Sequence, residues 1–313
     1  MHVGYALALL TAVSDFTPGP VLAILNVHSG WDDGSGCCGQ LSRKFEKSGV
    51  PLRVEQVRKG SDVTALVKDA TDNGVTAVIA AGGDGTLNAV AQGLRGTGVP
   101  MAILPIGTLN HLARDLSVPL EIDRAIDALD QSRKVAIDMG EVNGRVFLNN
   151  SIIGLYPAYR FVRDRLERRG WAKWRAIASA IFGVFRSKPS LHVRLTADGT
   201  ELRRKTPYIL VANNEHLLKG YRLGERARLD AGRLWVHVMR PLSRWGMIRV
   251  ALSLLLGTFD KKDDFEVFAA ESLRVASRRK RIGVAIDGDV VQMKMPLEYR
   301  SLPGALHVLT PAR

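Results

Sequence analysis

The sequence predicts an α/β protein: a doubly wound parallel sheet comes first, then a mainly antiparallel, β-sandwich-like domain with helical insertions. Three observations lead there. Up to residue 131, short apolar runs without clean alternation are separated by stretches of helical spacing. Beyond it, apolar and polar residues alternate and Asp-Gly pairs punctuate the chain. The tetrapeptide "GTLN" also occurs twice, as Gly85–Asn88 and Gly107–Asn110, each time between an apolar run and a helix-like stretch.

Taken in order, "VLAILNV", "LRVEQV", "TAVIAAG" and "MAILP" are rich in Val, Ile and Leu, as strands buried on both faces are. Between them, "CGQLSRKFEKSG", "DVTALVKDATDNG" and "TLNAVAQGL" repeat apolar residues at helical spacing. This β-α-β-α-β-α-β order places ligands at the carboxyl ends of the strands. Later, "LHVRLTADG" alternates Leu191, Val193 and Leu195 against His192, Arg194 and Thr196. "RLWVHVM" and "FEVFAAESLRVASR" continue the strand texture, and "RIGVAIDGDVVQM" predicts a hairpin about its Asp-Gly pair. Helical insertions are expected around 156–186 and 243–259. The expected division is an α/β domain over 1–133, to which 300–313 can return, and a β-rich domain over 134–299.

Composition narrows the partners. The chain has 313 residues, 46% hydrophobic, enough for two domains. Its formal charge of +13, from 44 Lys plus Arg against 31 Asp plus Glu, favours anionic partners: nucleotide, nucleic acid or an acidic membrane surface. Only Cys37 and Cys38 occur, adjacent, which excludes a disulfide framework or zinc site and suggests a reducing compartment. No apolar run reaches membrane-spanning length, and the apolar start "MHVGYALALLTAV" lacks the basic residues of a signal peptide.

In "AAGGDGTLN", Gly82, Gly83 and Gly85 stand where a strand becomes a helix. Backbone without Cβ atoms approaches a ligand closely, and the helix start directs N–H groups and a positive dipole end at the same place. That combination suits a polyphosphate. Thr86 and Asn88 either add side-chain hydrogen bonds or cap the helix. Asp84 would repel a phosphate unless Mg²⁺ lay between them. The second turn, "PIGTLN", either supplies another wall of the crevice or is a plain tight connection. A Walker P-loop is excluded, since its G-x-x-x-x-G-K-[ST] pattern is nowhere present.

"GGDGTLNAV" followed by "GVPMAILPIGTLNHLARDLSVP" resembles the diacylglycerol kinase catalytic-domain family, which includes bacterial lipid kinases and sphingosine kinases. The resemblance continues through "VAIDMGEVNGRVFLNNSIIG", "YILVANN", "RLGERARLDAGRLWVHVMR" and "AIDGDVV". It implies ATP held between two domains, its phosphates on Gly82, Gly83, Asp84, Gly85, Thr86, Leu87 and Asn88, with Thr108 contributing from the second turn. It implies Mg²⁺ associated with Asp84 and Asp138, and Asp289 as the general base for a lipid hydroxyl. Such an enzyme would be cytoplasmic and peripheral, acting at an anionic membrane surface and binding no nucleic acid. A carboxylate base answers a physical need, because a lipid hydroxyl is a poor nucleophile. Asp287 is expected on the other side of the same strand.

Three positions depart from the family's pattern. His111 stands where relatives often have Asp, Ala89 where many have Glu, and Ala231 at the Asp of a second-domain magnesium loop. The metal network should therefore be thinner, and no second-domain magnesium is expected, with Asp230 only its neighbour. In residues 160–188, Trp174, Ile177, Ala178, Ile181, Phe182 and Phe185 share one helical face beside many basic residues. That helix either docks on acidic lipid or packs on the β domain. Two rival readings remain. One is an NAD kinase-like enzyme, since "GGDGT" is shared and "VANNEH" carries Asn-Asn-Glu. The other is a non-catalytic, nucleotide-gated protein of the membrane surface. Neither the acceptor lipid nor the oligomeric state is legible in the sequence.

Overall fold

The structure is a computed structural model that describes residues 19–26, 35–58, 62–168, 190–217, 225–226, 228–241 and 264–312. The chain forms two compact units, Met1–Val135 with His307–Arg313, and Ala136–Leu306.

In the first unit β1 (Val21–Asn26), β2 (Leu52–Val57), β3 (Ala77–Gly82) and β4 (Met101–Pro105) alternate with α1 (Ser35–Ser48), α2 (Val63–Asp72) and α3 (Asp84–Leu94). The strands are parallel in the order β2-β1-β3-β4, so the winding reverses between β1 and β3. Every residue of β3 and β4 is buried, which accounts for their unbroken apolar sequence. Asp62 starts α2 by accepting a hydrogen bond from the Ala65 amide at 3.0 Å. Val63, Val67 and Ala70 then bury one face at helical spacing. A Cβ at Gly93 would lie 2.8 Å from the Val67 side chain, so glycine there sets the close packing of α3 on α2. Two short helices follow, α4 (His111–Asp115) and α5 (Ile122–Asp127). Cys37 and Cys38 lie half-buried as free thiols on α1, and burial, with Cys38 and Asp123 nearby, pushes Cys37 up to about 11.

The second unit begins within β5 (Ser132–Val142) and continues through β6 (Arg145–Phe147), β7 (Asn150–Gly154) and α6 (Leu155–Arg168). Next come β8 (Leu191–Ala197), β9 (Thr200–Thr206), β10 (Tyr208–Asn213) and the two-residue strands β11 (His216–Leu217) and β12 (Glu225–Arg226). β13 (Leu234–Met239), β14 (Phe265–Ala270), β15 (Ser272–Ser277), β16 (Arg281–Ile286), β17 (Asp289–Lys294) and β18 (Leu297–Pro311) complete it. One antiparallel sheet runs β14-β13-β10-β7-β16-β17. In the other, β18, β15, β8 and β9 pair antiparallel in that order. Leu191, Val193, Leu195, Val275 and Leu297 from the second sheet pack with Ile153, Val211, Val236 and Val284 from the first in one buried core. The fold class read from the sequence, a parallel sheet followed by an antiparallel one, is the fold observed. The far end of β18 belongs to the first unit, where Val308 pairs parallel with Met101 of β4.

Of the two expected insertions, α6 covers the start of the first. The rest of it, residues 169–186 with Trp174 through Phe185, lies outside the described residues, as does 243–259. So does the apolar segment 1–13. No helix of the described residues is long and apolar enough to cross a membrane.

Candidate phosphate turn and catalytic hairpin

β3 and β4 are neighbours, with Gly82 opposite Pro105, so the two glycine turns leave adjacent strand ends. They touch. A Cβ built on Gly107 would lie 2.4 Å from the Gly83 Cα, closer than any real side chain tolerates. A Cβ on Gly83 would meet only the Gly107 Cα, at 3.4 Å. Gly107 is therefore required by the contact itself, while Gly83 faces open space and leaves room for a ligand.

The two copies of "GTLN" are not equivalent. In the first, Gly85–Asn88 lie inside α3, which begins at Asp84, two residues before the sequence placed it. In the second, Gly107–Asn110 form the turn before α4, and Asn110 takes a left-handed conformation with φ 51°. Its side-chain amide donates to the carbonyls of Gly107 at 2.7 Å and Pro105 at 3.3 Å, which closes the turn on itself. Asn110 Oδ1 is buried, has no hydrogen-bond partner among the described residues, and would lie 2.8 Å from a Gly107 Cβ. In the sequence Asn110 stands out only as the last residue of the second "GTLN". Its signal was a left-handed-tolerant Asn in a glycine turn.

α3 has no side-chain cap at Gly83. The amides of Thr86 and Leu87 are satisfied by the Gly83 carbonyl, at 2.9 and 3.1 Å. The Thr86 hydroxyl accepts from the Asn26 amide of β1 at 2.9 Å, and both Thr86 and Leu87 are buried. Thr86 thus ties the helix start to the strand across the winding reversal. Gly85, Thr108 and Leu109 are exposed at the rim, and Asp84, Asn88 and Gly107 are half-buried. His111 and Ala89 are half-buried too, and the Ala89 carbonyl accepts from Thr64 at 3.1 Å.

In the second unit the "IDGD" motif forms a two-residue hairpin between β16 and β17, Ile286 opposite Asp289. Asp287 and Gly288 both have positive φ, 44° and 94°, the pattern a type I′ turn demands. Asp287 was expected on a strand; it is the first turn residue instead. Its Oδ2 accepts from the Leu148 amide at 2.7 Å, and its Oδ1 from Asn149 and Asn150 at 2.9 Å each. This carboxylate fastens the hairpin to the β6–β7 connection. Asp289 opens β17 exposed to solvent, with no ion pair among the described residues. Two carboxylates two residues apart thus have opposite settings, one occupied by backbone and one open.

Asp138 is buried, and its carboxylate accepts from the Gly232 amide at 2.6 Å and the Gly304 amide at 2.9 Å. Its carbonyl accepts from the Asn213 side chain at 2.8 Å, which also donates to the Leu148 carbonyl at 3.0 Å. Asn214 is buried in a left-handed conformation, and its Oδ1 accepts from the Ala231 amide at 3.1 Å. The Asn-Asn pair of "VANNEH" therefore serves the unit's internal polar bracing. Asp230, beside Ala231, pairs with Arg228 at 3.0 Å, which holds its carboxyl below the usual range. Among the described residues no group of three or more His, Cys, Asp or Glu side chains could hold a metal ion.

A glycine-walled turn on a doubly wound parallel sheet, followed by an antiparallel unit with an open carboxylate at a hairpin, defines a two-unit α/β class. Residues 20–142 match the family model described as the diacylglycerol kinase catalytic domain. Residues 159–310 match that of the YegS C-terminal NAD kinase beta sandwich-like domain. A Pseudomonas aeruginosa protein named "Probable lipid kinase YegS-like" is 31% identical over 276 residues, covering 85% of this chain and 87% of its own. A Pseudomonas fluorescens protein of the same name is 42% identical over 269 residues, covering 84% and 87%. The Bacillus subtilis protein named "Diacylglycerol kinase" is 27% identical over 296 residues, covering 92% and 95%. A crystal structure of a Bacillus anthracis diacylglycerol kinase superposes with a TM-score of 0.66 at 20% identity, covering 93% of this chain and 96% of that one. The chain belongs to the diacylglycerol kinase catalytic-domain family.

Proposed function

We propose that the protein is an ATP-dependent lipid kinase, transferring the γ-phosphoryl group to the hydroxyl of a lipid such as diacylglycerol. The observation that carries this reading is the cradle at Gly83 and Gly107, where a Cβ would fill the space beside the start of α3. It suits a polyphosphate, because the backbone can approach it and the positive end of the helix dipole favours its charge. Gly82, Gly83, Gly85 and the N-terminal turn of α3 bind the phosphates, with Thr108 at the rim. ATP supplies the phosphoryl group, and the chain's task is positioning and proton transfer.

Of the two carboxylates expected beside Mg²⁺, Asp84 is the one that fits it. Asp84 stands on the phosphate turn, and a single carboxylate with phosphate oxygens is an ordinary magnesium setting. Asp138 is assigned to bracing instead of the metal, because both its oxygens accept backbone amides. Asp289 takes the proton from the lipid hydroxyl as its oxygen bonds to the γ-phosphorus and the bond to the ADP oxygen breaks. Its exposure at the hairpin leaves the carboxylate reachable by a substrate. The enzyme would work in the cytoplasm, at the surface of an anionic membrane.

Calorimetry with a non-hydrolysable ATP analogue tests the cradle. Gly83→Asp places a carboxylate in the phosphate path where the fold has room for a side chain, so it should abolish binding without changing the melting temperature. Unchanged affinity would remove the turn from the site.

A further inference from the structure

We infer that a basic groove on the outer face of the second unit, built by β8, β9 and the β15–β16 connection, is a docking surface for the anionic face of a lipid bilayer. This inference rests on the lipid kinase reading, which puts the acceptor in a membrane. On β8, Leu191, Val193 and Leu195 face the core, so His192 and Arg194 face outward. Directly across the ladder, His192 meets Lys205 and Arg194 meets Arg203. Like charges set opposite each other, as Arg194 and Arg203 are, cost stability, and a counter-charge from outside would relieve that cost. Arg278 completes the lining of a groove of about 610 Å³.

The chain itself supplies little neutralisation. Glu201 is shared, 3.1 Å from Arg203 and 3.5 Å from Arg194. Among the described residues, no carboxylate lies within ion-pair distance of Lys205, Arg278, Arg279 or Lys280, and all four are exposed. Arg204, by contrast, is clasped by Glu266 through two bonds of 2.7 and 2.8 Å, so its charge is already met. A single-stranded nucleic acid would need a run of aromatic stacking platforms, and the groove's lining holds no Phe, Tyr or Trp, only the one imidazole of His192. A bilayer needs only a field of positive charge within reach of its headgroups.

The groove stands apart from the chemistry. Arg281 pairs with Lys294 at one end of the β16–β17 hairpin, and Ile286 with Asp289 at the other. Six residues of strand separate the ends by roughly 15–20 Å. Removing charges beside Arg278 should therefore leave proton transfer at Asp289 untouched.

The test is co-sedimentation of the full chain, without ATP, with phosphatidylcholine vesicles that contain or lack phosphatidylglycerol. Each basic residue near an anionic surface changes partitioning about fivefold, so Arg203→Gln, Lys205→Gln and Arg278→Gln together should weaken binding to anionic vesicles about a hundredfold. Glu201→Gln should strengthen it about fivefold. Added salt should erase both effects, since exposed charges are screened over about 10 Å. If the triple variant, with a wild-type melting temperature, partitions as wild type does, the charges serve only to guard the edge strand β9 and the inference is wrong. It is equally wrong if the triple variant loses binding to mixed-sequence DNA while keeping its vesicle binding, or if Glu201→Gln weakens partitioning. Because ATP is absent, a chain that binds vesicles through this groove but phosphorylates no lipid refutes the kinase reading alone.

Discussion

Replacing Asp287 by Asn should loosen the β16–β17 hairpin without touching Asp289, the proposed base, two residues on. The Asp287 carboxylate accepts three backbone amides, from Leu148, Asn149 and Asn150, at 2.7–2.9 Å. Asn tolerates the positive φ of 44° at this turn, so the substitution isolates the hydrogen bonds from backbone strain. The amide oxygen can keep the bonds to Asn149 and Asn150, but its NH₂ group then opposes the Leu148 amide. Bonds to a charged acceptor stabilise by about 1.5–3 kcal/mol and neutral ones by about 1 kcal/mol. The site is only partly buried, so the low ends apply, and the loss comes to about 2–3 kcal/mol. Hydrogen exchange should report it locally, as about 30- to 150-fold faster exchange of the amides at 148–150 if they open with the hairpin. The chain's two units need not unfold together, so the local readout is preferable to a global midpoint. Wild-type protection of these three amides in the variant would refute the argument that Asp287 fastens the hairpin.

Asp289→Asn should behave in the opposite way: turnover falls about 10²–10⁴-fold while stability and ATP affinity hold, measured by steady-state kinetics and calorimetry. Gly107→Ala forces its methyl to 2.4 Å from the Gly83 Cα, so the turns must part; a stability loss of about 1–3 kcal/mol and weaker ATP binding are expected from melts and titration. Acid should weaken the second unit in a defined direction. The Ser272 and Glu271 amides hold the Asp198 carboxyl below its ordinary range, and Arg204 does the same for Glu266. Because their folded values lie below the unfolded ones, their contribution is complete above about pH 4 and fades as pH falls through the folded values. Asp198 is exposed and the Glu266 side chain is 35% exposed, so solvent screening keeps the effect small; melting curves of Asp198→Asn with Glu266→Gln should show a flatter acid limb than wild type.

Much of the fold was legible because burial on both faces leaves an unmistakable pattern. β3 and β4 are apolar throughout since both of their faces are covered, and the alternation in β8 records one buried face. The two turns were legible where geometry requires glycine, as at Gly107 and Gly288. What stayed hidden depends on contacts distant in sequence. Nothing local distinguishes Asp138, which accepts amides from Gly232 and Gly304, from a metal ligand. Nor does "GTLN" reveal that one copy is the first turn of a helix and the other a loop closed by Asn110. Asp287 and Asp289 are chemically alike in the sequence; only the amides of 148–150 separate the fastener from the open carboxylate.

Incubation of the purified protein with γ-labelled ATP and Mg²⁺, offered both a total lipid extract and NAD, tests the central claim most directly. The account predicts that label enters the organic phase on a lipid and that Asp289→Asn cuts this transfer at least a hundredfold. Label on NAD, or label on neither acceptor with ATP demonstrably bound, would contradict it.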